Sequence, residues 1–290
     1  MPDYRKLNER RIKEASNSSA FMDALVRSLQ AALYGLVIDW VSGKIETVDG
    51  KMKYSASNLG KVAGLYLLFD RFSKSYQKTV LGGILDRAAR IFGLTKEYYN
   101  EIKPAPESVQ DAARRLTLQR WGYNVNTKEL IPGGYMEKLF ANEGVARNVA
   151  GLVNRAIAGK MSLADFQKQF RKVFIGKPGQ GMLERYWKTN SFDLFQKIDR
   201  AANLVYADRL GLEYAIYSGT VMDTTRPWCE NHVNKVFSRD EIDPWKNQSW
   251  QGKITIGYDP YLDAGGFNCR HHWSFISTPI AEHLRPELKK

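Results

Sequence analysis

The stretch EYAIYSGTVMD, residues 213–223, is where the sequence changes character. Its β-branched and aromatic residues alternate with small or polar ones, which predicts a strand. Before it, apolar residues recur at helical spacing, whereas after it aromatic, Gly, Asp and Pro residues dominate and long helical patterns are few. The sequence therefore predicts a mainly α fold, in which a helical N-terminal and central region precedes a small α+β C-terminal module containing Cys and His residues.

Two helices upstream of this strand are the best marked. Ser162 and Asp165 have the spacing of a capping box at the start of one helix. The apolar face of that helix is predicted to consist of Leu163, Phe166, Phe170, Val173 and Phe174. A second, longer helix is predicted from 182 to about 210, with Gly211 at the position of its C-terminal cap.

Breaks in the helical pattern divide the chain. KPAPES at 103–108 contains two prolines, which cannot sit inside a helix, and Ser108 is predicted to be the next N-cap. GKPGQG at 176–181 ends another helix, and the Asp49-Gly50 pair predicts a small hairpin or loop. We therefore predict an N-terminal helical region at 1–105, a central helical region at 106–180, and a C-terminal module at 181–290 made of a long helix followed by short strands and loops.

Composition and charge restrict the possible partners. The 290 residues include 43 Lys and Arg against 31 Asp and Glu, a formal net charge of +12, which favours polyanionic partners such as nucleic acid. The first 19 residues are polar and mixed in charge, unlike a secretory signal. The most apolar runs, at 31–38 and 64–69, are far shorter than the roughly 20 residues that a spanning helix needs. We expect a cytoplasmic protein with no membrane partner.

Cysteine and histidine spacing points to a metal site. Cys229 and His232 form C-x2-H, the separation of a metal knuckle, and Cys269 and His271 form C-x-H, which on a strand directs both side chains to one face. Two thiolates and two imidazoles are the ligands of a closed tetrahedral zinc site. The segment 233–268 is long enough to fold back and close it.

Alternatives to this zinc site remain open. His272 is a substitute for His271, because C-x2-H is the better-precedented spacing. The two cysteines could instead be small buried apolar residues, with the histidines making hydrogen bonds. A disulfide is the third alternative, and a reducing compartment disfavours it.

No catalytic constellation stands out in the sequence. A Cys/His nucleophile pair needs an orienting third group and an oxyanion site, which the sequence does not mark specifically. GGFNCRHHW at 265–273 has some similarity to a His-metal nuclease, in which one His activates water and others hold the cation. The G-x-x-x-x-G-K-[ST] motif of nucleoside triphosphatases is not found in the sequence. A metal-dependent nuclease acting on DNA and a stand-alone basic DNA-binding protein are therefore the alternative functions.

Several ordered motifs resemble one known family. YSGTVMDTTRPWC at 217–229, VFSRDEI at 236–242 and GGFNCRHHW at 265–273 resemble the Mu F-like minor head proteins of tailed bacteriophages, also called head morphogenesis proteins. That family shows D-x-T-R-x-x-C after a strand, then G-G-x-N-C-R-H with an aromatic residue close behind. The preceding sequence, from MSLADFQKQFRKVF onward, matches in kind, so the resemblance covers roughly 160–277.

The resemblance implies a structural component of the virion rather than an enzyme. Such a minor head protein is present at low copy, associates with the portal inside the capsid and takes part in head morphogenesis. Its implied locations are the virion head interior and, during assembly, the host cytoplasm. The implied partners are the portal protein and packaged double-stranded DNA, with the major capsid or scaffold protein as further candidates.

The positions that match the family motifs are expected to form the structural heart of the module. They are Asp223, Thr225, Arg226, Cys229, Gly265, Gly266, Asn268, Cys269, Arg270 and His271. We hypothesise that Arg226 and Arg270 pair with Asp223 or with backbone carbonyls and so lock the two cysteine elements together.

The plainest basic stretch lies at 151–190. A protein beside packaged DNA gains from such a surface, because each Lys or Arg that contacts a phosphate releases counterions without reading sequence. The candidate DNA-binding residues are Lys168, Arg171, Lys172 and Lys177. The alternative for these side chains is an ordinary solvated helix face.

Overall fold

The computed structural model describes residues 4–141, 143–177, 180–191 and 193–289. It is 66% helical with 8% strand, which confirms a mainly α fold with a small α+β module at the C-terminal end. The helices up to residue 210 are α1 (Tyr4–Lys44), α2 (Ala56–Lys61), α3 (Gly64–Ile102), α4 (Glu107–Arg120), α5 (Tyr135–Ala141), α6 (Glu143–Ala158), α7 (Leu163–Phe174), α8 (Met182–Ser191) and α9 (Leu194–Leu210). The short helices that follow are α10 (Pro227–Glu230), α11 (Arg239–Ile242), α12 (Pro260–Asp263) and α13 (Thr278–Leu284), with 3-10 turns at Asp243–Asn247 and Pro286–Leu288.

In the described part of the chain the strands form three small antiparallel sheets. They are β1 (Thr47–Val48), β2 (Lys51–Met52), β3 (Tyr123–Asn124), β4 (Glu129–Leu130), β5 (Tyr214–Ser218), β6 (Val236–Ser238) and β7 (His272–Ile276). β1 pairs with β2 and β3 with β4, and the third sheet has the order β6-β5-β7. In that sheet Tyr217 of the central strand lies opposite Trp273 of β7.

The chain divides into two compact units, each of which combines distant segments. Unit 1 comprises Met1–Ser19, Leu85–Ile131 and Phe192–Lys290, and unit 2 comprises Ala20–Ile84 and Pro132–Ser191. The division predicted from the sequence, at 1–105, 106–180 and 181–290, follows consecutive segments. The two divisions differ because the long helices α1 and α3 each contribute residues to both units.

Unit 1 contains the three-stranded sheet and the cysteines. Helix α9 packs against α4 and against β7, and β7 is buried along its whole length. The core around the sheet is rich in aromatic side chains, and its fully buried members include Tyr98, Tyr99, Tyr217, Trp273 and Phe275. Because the elements after β5 are short, tertiary contacts rather than long hydrogen-bond ladders must hold them in place.

The elements described in unit 2 are helices and the β1–β2 hairpin. The buried face of α7 is formed by Phe166, Phe170 and Phe174, whose rings stack on one another. The Gln30 side chain caps α8, since its Oε1 accepts from the backbone N–H groups of Leu183 at 2.9 Å and Glu184 at 3.2 Å. This unit holds the basic stretch identified in the sequence.

Helix α1 is long and apolar enough, by length and composition, to cross a membrane, and 28% of its most apolar window is buried. One such helix near the N-terminus is weak evidence for a membrane span, because core helices of soluble proteins and signal sequences have the same length and apolar composition. In unit 2 one face of α1 is buried at intervals of four or seven residues, as in a core helix. The buried residues on that face are Met22, Val26, Leu33, Val37 and Val41.

Several turns and helix caps lie at the residues where the sequence predicted them. Asp49 and Gly50 have φ of 51° and 71° and connect the β1–β2 hairpin as predicted. The Ser162 side chain caps α7 by accepting from the Asp165 N–H at 3.1 Å. Gly211 adopts the left-handed conformation at the end of α9.

Two predicted helix boundaries were wrong. Helix α4 begins at Glu107 with Pro106 in the N-cap position, so Ser108 lies inside its first turn; proline suits a helix start because its φ is already fixed. The single helix predicted from 182 to about 210 is two helices, α8 and α9. Asp193 precedes α9 with a non-helical ψ of 6°, and its carboxylate accepts from the backbone N–H of Asn268 at 3.3 Å instead of capping α9. Residue 192 lies outside the described part of the chain.

Candidate metal centre

The two cysteine-bearing stretches meet in unit 1. Cys229 lies in α10, and Cys269 and His271 lie in the loop that leads into β7. One ligand atom from each residue, a sulfur or an imidazole nitrogen, lies within 4.8 Å of the others, and all three residues are buried. Thiolates and imidazoles are the ligands of structural metal sites in proteins. The three residues therefore form a group that could hold a metal ion.

Two glycines give the chain the room that this group needs. A Cβ atom at Gly265 would lie only 2.2 Å from the Sγ of Cys229 and 3.0 Å from the Sγ of Cys269. Gly266 has a φ of 98°, and a Cβ there would lie 2.3 Å from the carbonyl oxygen of Gly252. Both positions therefore require glycine, the first for close approach and the second also for its left-handed backbone.

Tyr217 borders the sulfurs from the central strand. Its buried hydroxyl lies 3.6 Å from the Sγ of Cys229 and 3.4 Å from the Sγ of Cys269. Its ring stacks on the imidazole of His271, with ring centroids 5.2 Å apart and planes inclined by 15°. Burial raises the pKa of the Tyr217 phenol well above its usual value, so the phenol is neutral in the metal-free protein.

The two thiols differ in acidity. Burial raises the pKa of Cys269, but hydrogen bonds from Cys229 and His271 and the charge of Arg200 outweigh burial and hold that pKa well below its usual value. The hydrogen bond to Cys269, together with burial, raises the pKa of Cys229. Gly265 also donates its backbone N–H to the Sγ of Cys269 at 3.2 Å. Cys269 is therefore the more acidic of the two thiols, and a metal bound to both sulfurs requires both to be deprotonated.

Arg200 of α9 holds the second stretch from its buried side. Its guanidinium donates to the carbonyl oxygens of His271 at 2.9 Å and Leu262 at 2.8 Å, and also to that of Cys269. The planar fork of arginine suits this task, because its five N–H donors point in fixed directions. Arg200 thereby fixes the backbone that carries two of the three side chains that could hold a metal.

Arg226 joins the two stretches across the surface. It donates to the carbonyl oxygens of Gly265, at 3.3 Å, and Phe267. Trp250 also holds the second stretch, since its indole Nε1–H donates to the same Gly265 oxygen at 2.9 Å. Arg226 thus pairs with backbone carbonyls, as one of the two hypotheses predicted, and not with Asp223.

Three motif positions have side chains at the surface instead of in the core of the module. Asp223, Asn268 and Arg270 are exposed, and within the described residues the side chains of Asp223 and Arg270 make no hydrogen bond or ion pair. Arg270 therefore does not lock the two elements together. The backbone at residue 268 has a φ of 59°, a left-handed conformation that asparagine adopts more readily than most residues. Thr225 closes the turn before α10, because its Oγ1 accepts from the Met222 N–H at 2.8 Å.

A cleft of about 290 Å³ opens beside the metal-binding group. Cys229, Cys269 and His271 contribute to its wall. The other residues that line it are Thr220, Met222, Thr224, Thr225, Arg226, Asn268 and Arg270. The cleft gives an ion a path from solvent to the buried sulfurs, which a metal site requires.

His232 and His272 lie outside the group of three. His232 stacks on Trp228, with ring centroids 4.2 Å apart, and its Nδ1 contacts the Trp228 carbonyl oxygen. It follows Cys229 by three residues but is drawn into a cluster of aromatic rings. The Nδ1 of His272 lies 2.6 Å from the Oδ2 of Asp199, and both side chains are fully buried. The structure thus brings together three of the four predicted ligands, and His271 rather than His272 is the third.

A buried charge network lies behind His272. The Nη1 of Arg11 donates to both carboxylate oxygens of Asp199, at 3.0 and 2.8 Å, and its Nη2 donates to the Oγ of Ser274 at 2.9 Å. Burial raises the pKa of Asp199, but the charges of Arg11 and His272 outweigh it and lower the pKa overall. The network fastens α1, α9 and β7 to one another within unit 1.

The candidate DNA-binding residues lie in and just after α7, in unit 2. Lys168, Arg171, Lys172 and Lys177 are all exposed, and within the described residues none of them forms an ion pair. The side chains of Lys168, Arg171 and Lys172 lie away from the buried phenylalanines of α7. They are therefore available to a polyanion.

No family model, curated protein or solved structure matches the chain. Function is therefore inferred from the geometry of the site, the distribution of charge and the motifs in the sequence.

Proposed function

We propose that this chain is a structural minor head protein of a tailed bacteriophage, present at low copy and bound to the portal inside the capsid, where it is needed for head morphogenesis. The observation that carries the proposal is the meeting of the two motif elements. D-x-T-R-x-x-C and G-G-x-N-C-R-H, which are far apart in the sequence, share one buried group of sulfurs and an imidazole. Arg200 and Arg226 fix the backbone around that group. A module whose backbone is fixed in this way suits a structural role in the assembly of the head.

Zinc is the metal that we propose for this group. Two sulfurs and one imidazole nitrogen favour zinc over hard cations, which prefer oxygen ligands. Cys229, Cys269 and His271 would hold the ion, and the ion would cross-link α10 to the loop before β7. That cross-link would stabilise a region whose own helices and strands are only three to seven residues long.

Charge supports a contact with packaged DNA. Unit 2 contains 18 Lys and Arg against 9 Asp and Glu, so +9 of the net charge of +12 belongs to it. The exposed face of α7, with Lys168, Arg171 and Lys172, is part of this surface. Binding through phosphate contacts needs no base recognition, as a protein beside packaged DNA of any sequence would require.

Burial of the histidines favours the structural role over the nuclease alternative. A metal-dependent nuclease needs an open cation and a histidine that reaches water. His271 is 4% exposed and His272 is 0% exposed, and the Nδ1 of His272 is engaged by Asp199. The arrangement is therefore better suited to holding the chain together than to activating water.

Binding to the portal tests the head role. The full-length chain is mixed with the assembled portal ring of the same phage and the mixture is centrifuged through a gradient. We expect the chain to sediment with the ring, and phage lacking the gene to produce few infectious heads. Sedimentation apart from the ring, together with normal infectious heads in its absence, would contradict the proposal.

Charge reversal tests the DNA contact separately. We expect Lys168→Glu/Arg171→Glu/Lys172→Glu to weaken binding to double-stranded DNA and to lower the salt dependence of the binding constant by about one unit for each phosphate that is no longer neutralised. The matched control is Arg71→Glu/Lys74→Glu/Lys78→Glu on α3, which makes the same charge change at exposed positions of unit 2. Equal weakening by both variants would show that net charge, not the α7 surface, is responsible.

A further inference from the structure

Three distances around the metal-binding group are nearly equal. The hydroxyl oxygen of Tyr217 lies 3.6 Å from the Sγ of Cys229 and 3.4 Å from the Sγ of Cys269. The Nδ1 of His271 lies 3.6 Å from the Sγ of Cys269. In a tetrahedral site with metal–sulfur bonds of about 2.3 Å and metal–oxygen or metal–nitrogen bonds of about 2.0 Å, neighbouring ligand atoms lie about 3.5 Å apart. The observed separations therefore match three edges of one coordination tetrahedron.

Gly265 lies in close contact with the same atoms. A Cβ on this residue would lie 2.2 Å from the Sγ of Cys229 and 3.0 Å from both the Sγ of Cys269 and the hydroxyl oxygen of Tyr217. Both sulfurs and the phenol oxygen therefore lie together against the backbone of residue 265, where a side chain would push them apart.

The cleft offers no better fourth ligand among the described residues. Its wall contributes hydroxyl groups of threonines, a thioether, the Asn268 amide and the guanidinium groups of Arg226 and Arg270. Guanidinium groups are cations with no lone pair to give, and neutral hydroxyls and amides are weak ligands of zinc. A phenolate carries a full negative charge. The Tyr217 side chain is also fixed in place by its stacking on His271.

We propose that Tyr217 is the fourth ligand of the metal centre and binds as phenolate, so that Cys229, Cys269, His271 and Tyr217 form a closed tetrahedral zinc site. This inference rests on the metal centre of the proposed function. When Zn²⁺ binds, the oxygen–hydrogen bond of Tyr217 breaks, an oxygen–zinc bond forms and the proton passes to the buffer. Four protein ligands leave no position for substrate or reactive water, which makes the site structural.

Proton release on zinc binding tests this proposal. The full-length chain is stripped of metal with a chelator and titrated with Zn²⁺ in a calorimeter, in two buffers with different ionisation enthalpies. We expect Tyr217→Phe to release one proton fewer per zinc than the wild type. We also expect its dissociation constant for zinc to rise by about tenfold or more, since loss of even an outer-shell partner costs 10–100-fold. With Co²⁺ in place of Zn²⁺, the visible absorption spectrum of Tyr217→Phe should differ from that of the wild type.

The matched control is Tyr258→Phe. The Tyr258 hydroxyl donates to the carbonyl oxygen of Ala264 at 2.6 Å, one residue from Gly265. Tyr258→Phe therefore removes a phenol hydroxyl from the same loop region without touching the proposed ligand set. We expect its proton release and zinc affinity to remain close to those of the wild type.

The outcomes separate this inference from the proposals on which it depends. Unchanged proton release and affinity in Tyr217→Phe would overturn the phenolate ligand and leave a three-residue zinc site open to the cleft. Failure of the wild type to bind zinc would overturn both the metal centre and this inference, while portal binding would still decide the head role. If Tyr217→Phe does not fold, the ultraviolet difference spectrum of the wild type on zinc addition decides, because absence of a tyrosinate signal would contradict the proposal.

Discussion

Gly265 is the residue at which one added carbon atom should disturb the site most. A Cβ at this position would lie 2.2 Å from the Sγ of Cys229, far inside van der Waals contact. We expect Gly265→Ala to lower the free energy of unfolding by about 1–3 kcal/mol, the usual cost of overpacking, and to abolish zinc binding. Denaturant unfolding and zinc titration of the purified variant measure the two effects.

Gly93→Ala is the control for this substitution. Gly93 lies within α3 in unit 1, and a Cβ there would meet nothing within 4 Å. Alanine in an open helical position is expected to stabilise by about 0.5–1 kcal/mol. A Gly265→Ala variant as stable as Gly93→Ala, with intact zinc binding, would contradict the packing described here.

Sequence patterns identified the rare side chains of the site but not the common ones around them. Cys229, Cys269 and His271 stand out because thiols and imidazoles are few in this chain. Arg200 gave no signal, because α9 is buried on almost every side and its polar residues cannot be assigned to a solvent face by periodicity. Tyr217 was expected in a strand, but only the folded register of β5 shows that its hydroxyl reaches both sulfurs.

At the scale of elements, α1, α9 and β7 are held together in unit 1 by one buried ion pair. Arg11 and Asp199 are both fully buried, with a separation of 2.8 Å. We expect Asp199→Asn to lower the free energy of unfolding by about 3–5 kcal/mol, because it leaves the Arg11 charge buried without a partner. The control is Asp86→Asn, which breaks an exposed pair with Arg90 on α3 and should cost about 0.5 kcal/mol or less. Similar losses in both variants would show that the buried pair is not important.

The same carboxylate should make stability depend on pH. The pKa of Asp199 is lower in the folded protein than in the unfolded chain. Its ionised carboxylate therefore stabilises the fold at pH values above its unfolded pKa of about 4, and this stabilisation is lost as the pH falls through its folded pKa. We therefore expect the wild type to lose more unfolding free energy below about pH 4 than Asp199→Asn does. Denaturant unfolding at a series of pH values compares the two proteins, and parallel curves would contradict the assignment.

The sequence predicted an element correctly where neighbouring residues determine it, and failed where a distant contact does. The Asp49-Gly50 hairpin, the Ser162 cap and the Gly211 cap each follow from the conformational preference of one or two residues. The break between α8 and α9 does not, because the apolar pattern continues across it. The Asp193 carboxylate at this break accepts from the backbone N–H of Asn268, a partner 75 residues away, and no local pattern contains that contact.

At the scale of the whole chain, the two units differ in charge and in chemistry. Unit 2 carries most of the net positive charge and the exposed basic face of α7, whereas unit 1 contains the candidate metal-binding group and the buried ion pair. Composition and hydrophobic periodicity together predicted a basic helical protein with a distinct C-terminal module. It did not predict units made of discontinuous segments, because hydrophobic periodicity carries no information about which distant helices pack together.

The central claim is that a metal ion joins the two cysteine elements. The most direct test is elemental analysis of the full-length chain purified without chelator, combined with its melting temperature before and after metal removal. We expect one zinc per chain, a lower melting temperature after removal, and loss of the zinc in Cys269→Ser. A chain that carries no metal and melts at the same temperature with or without chelator, or one in which Cys229 and Cys269 form a disulfide, would contradict the claim.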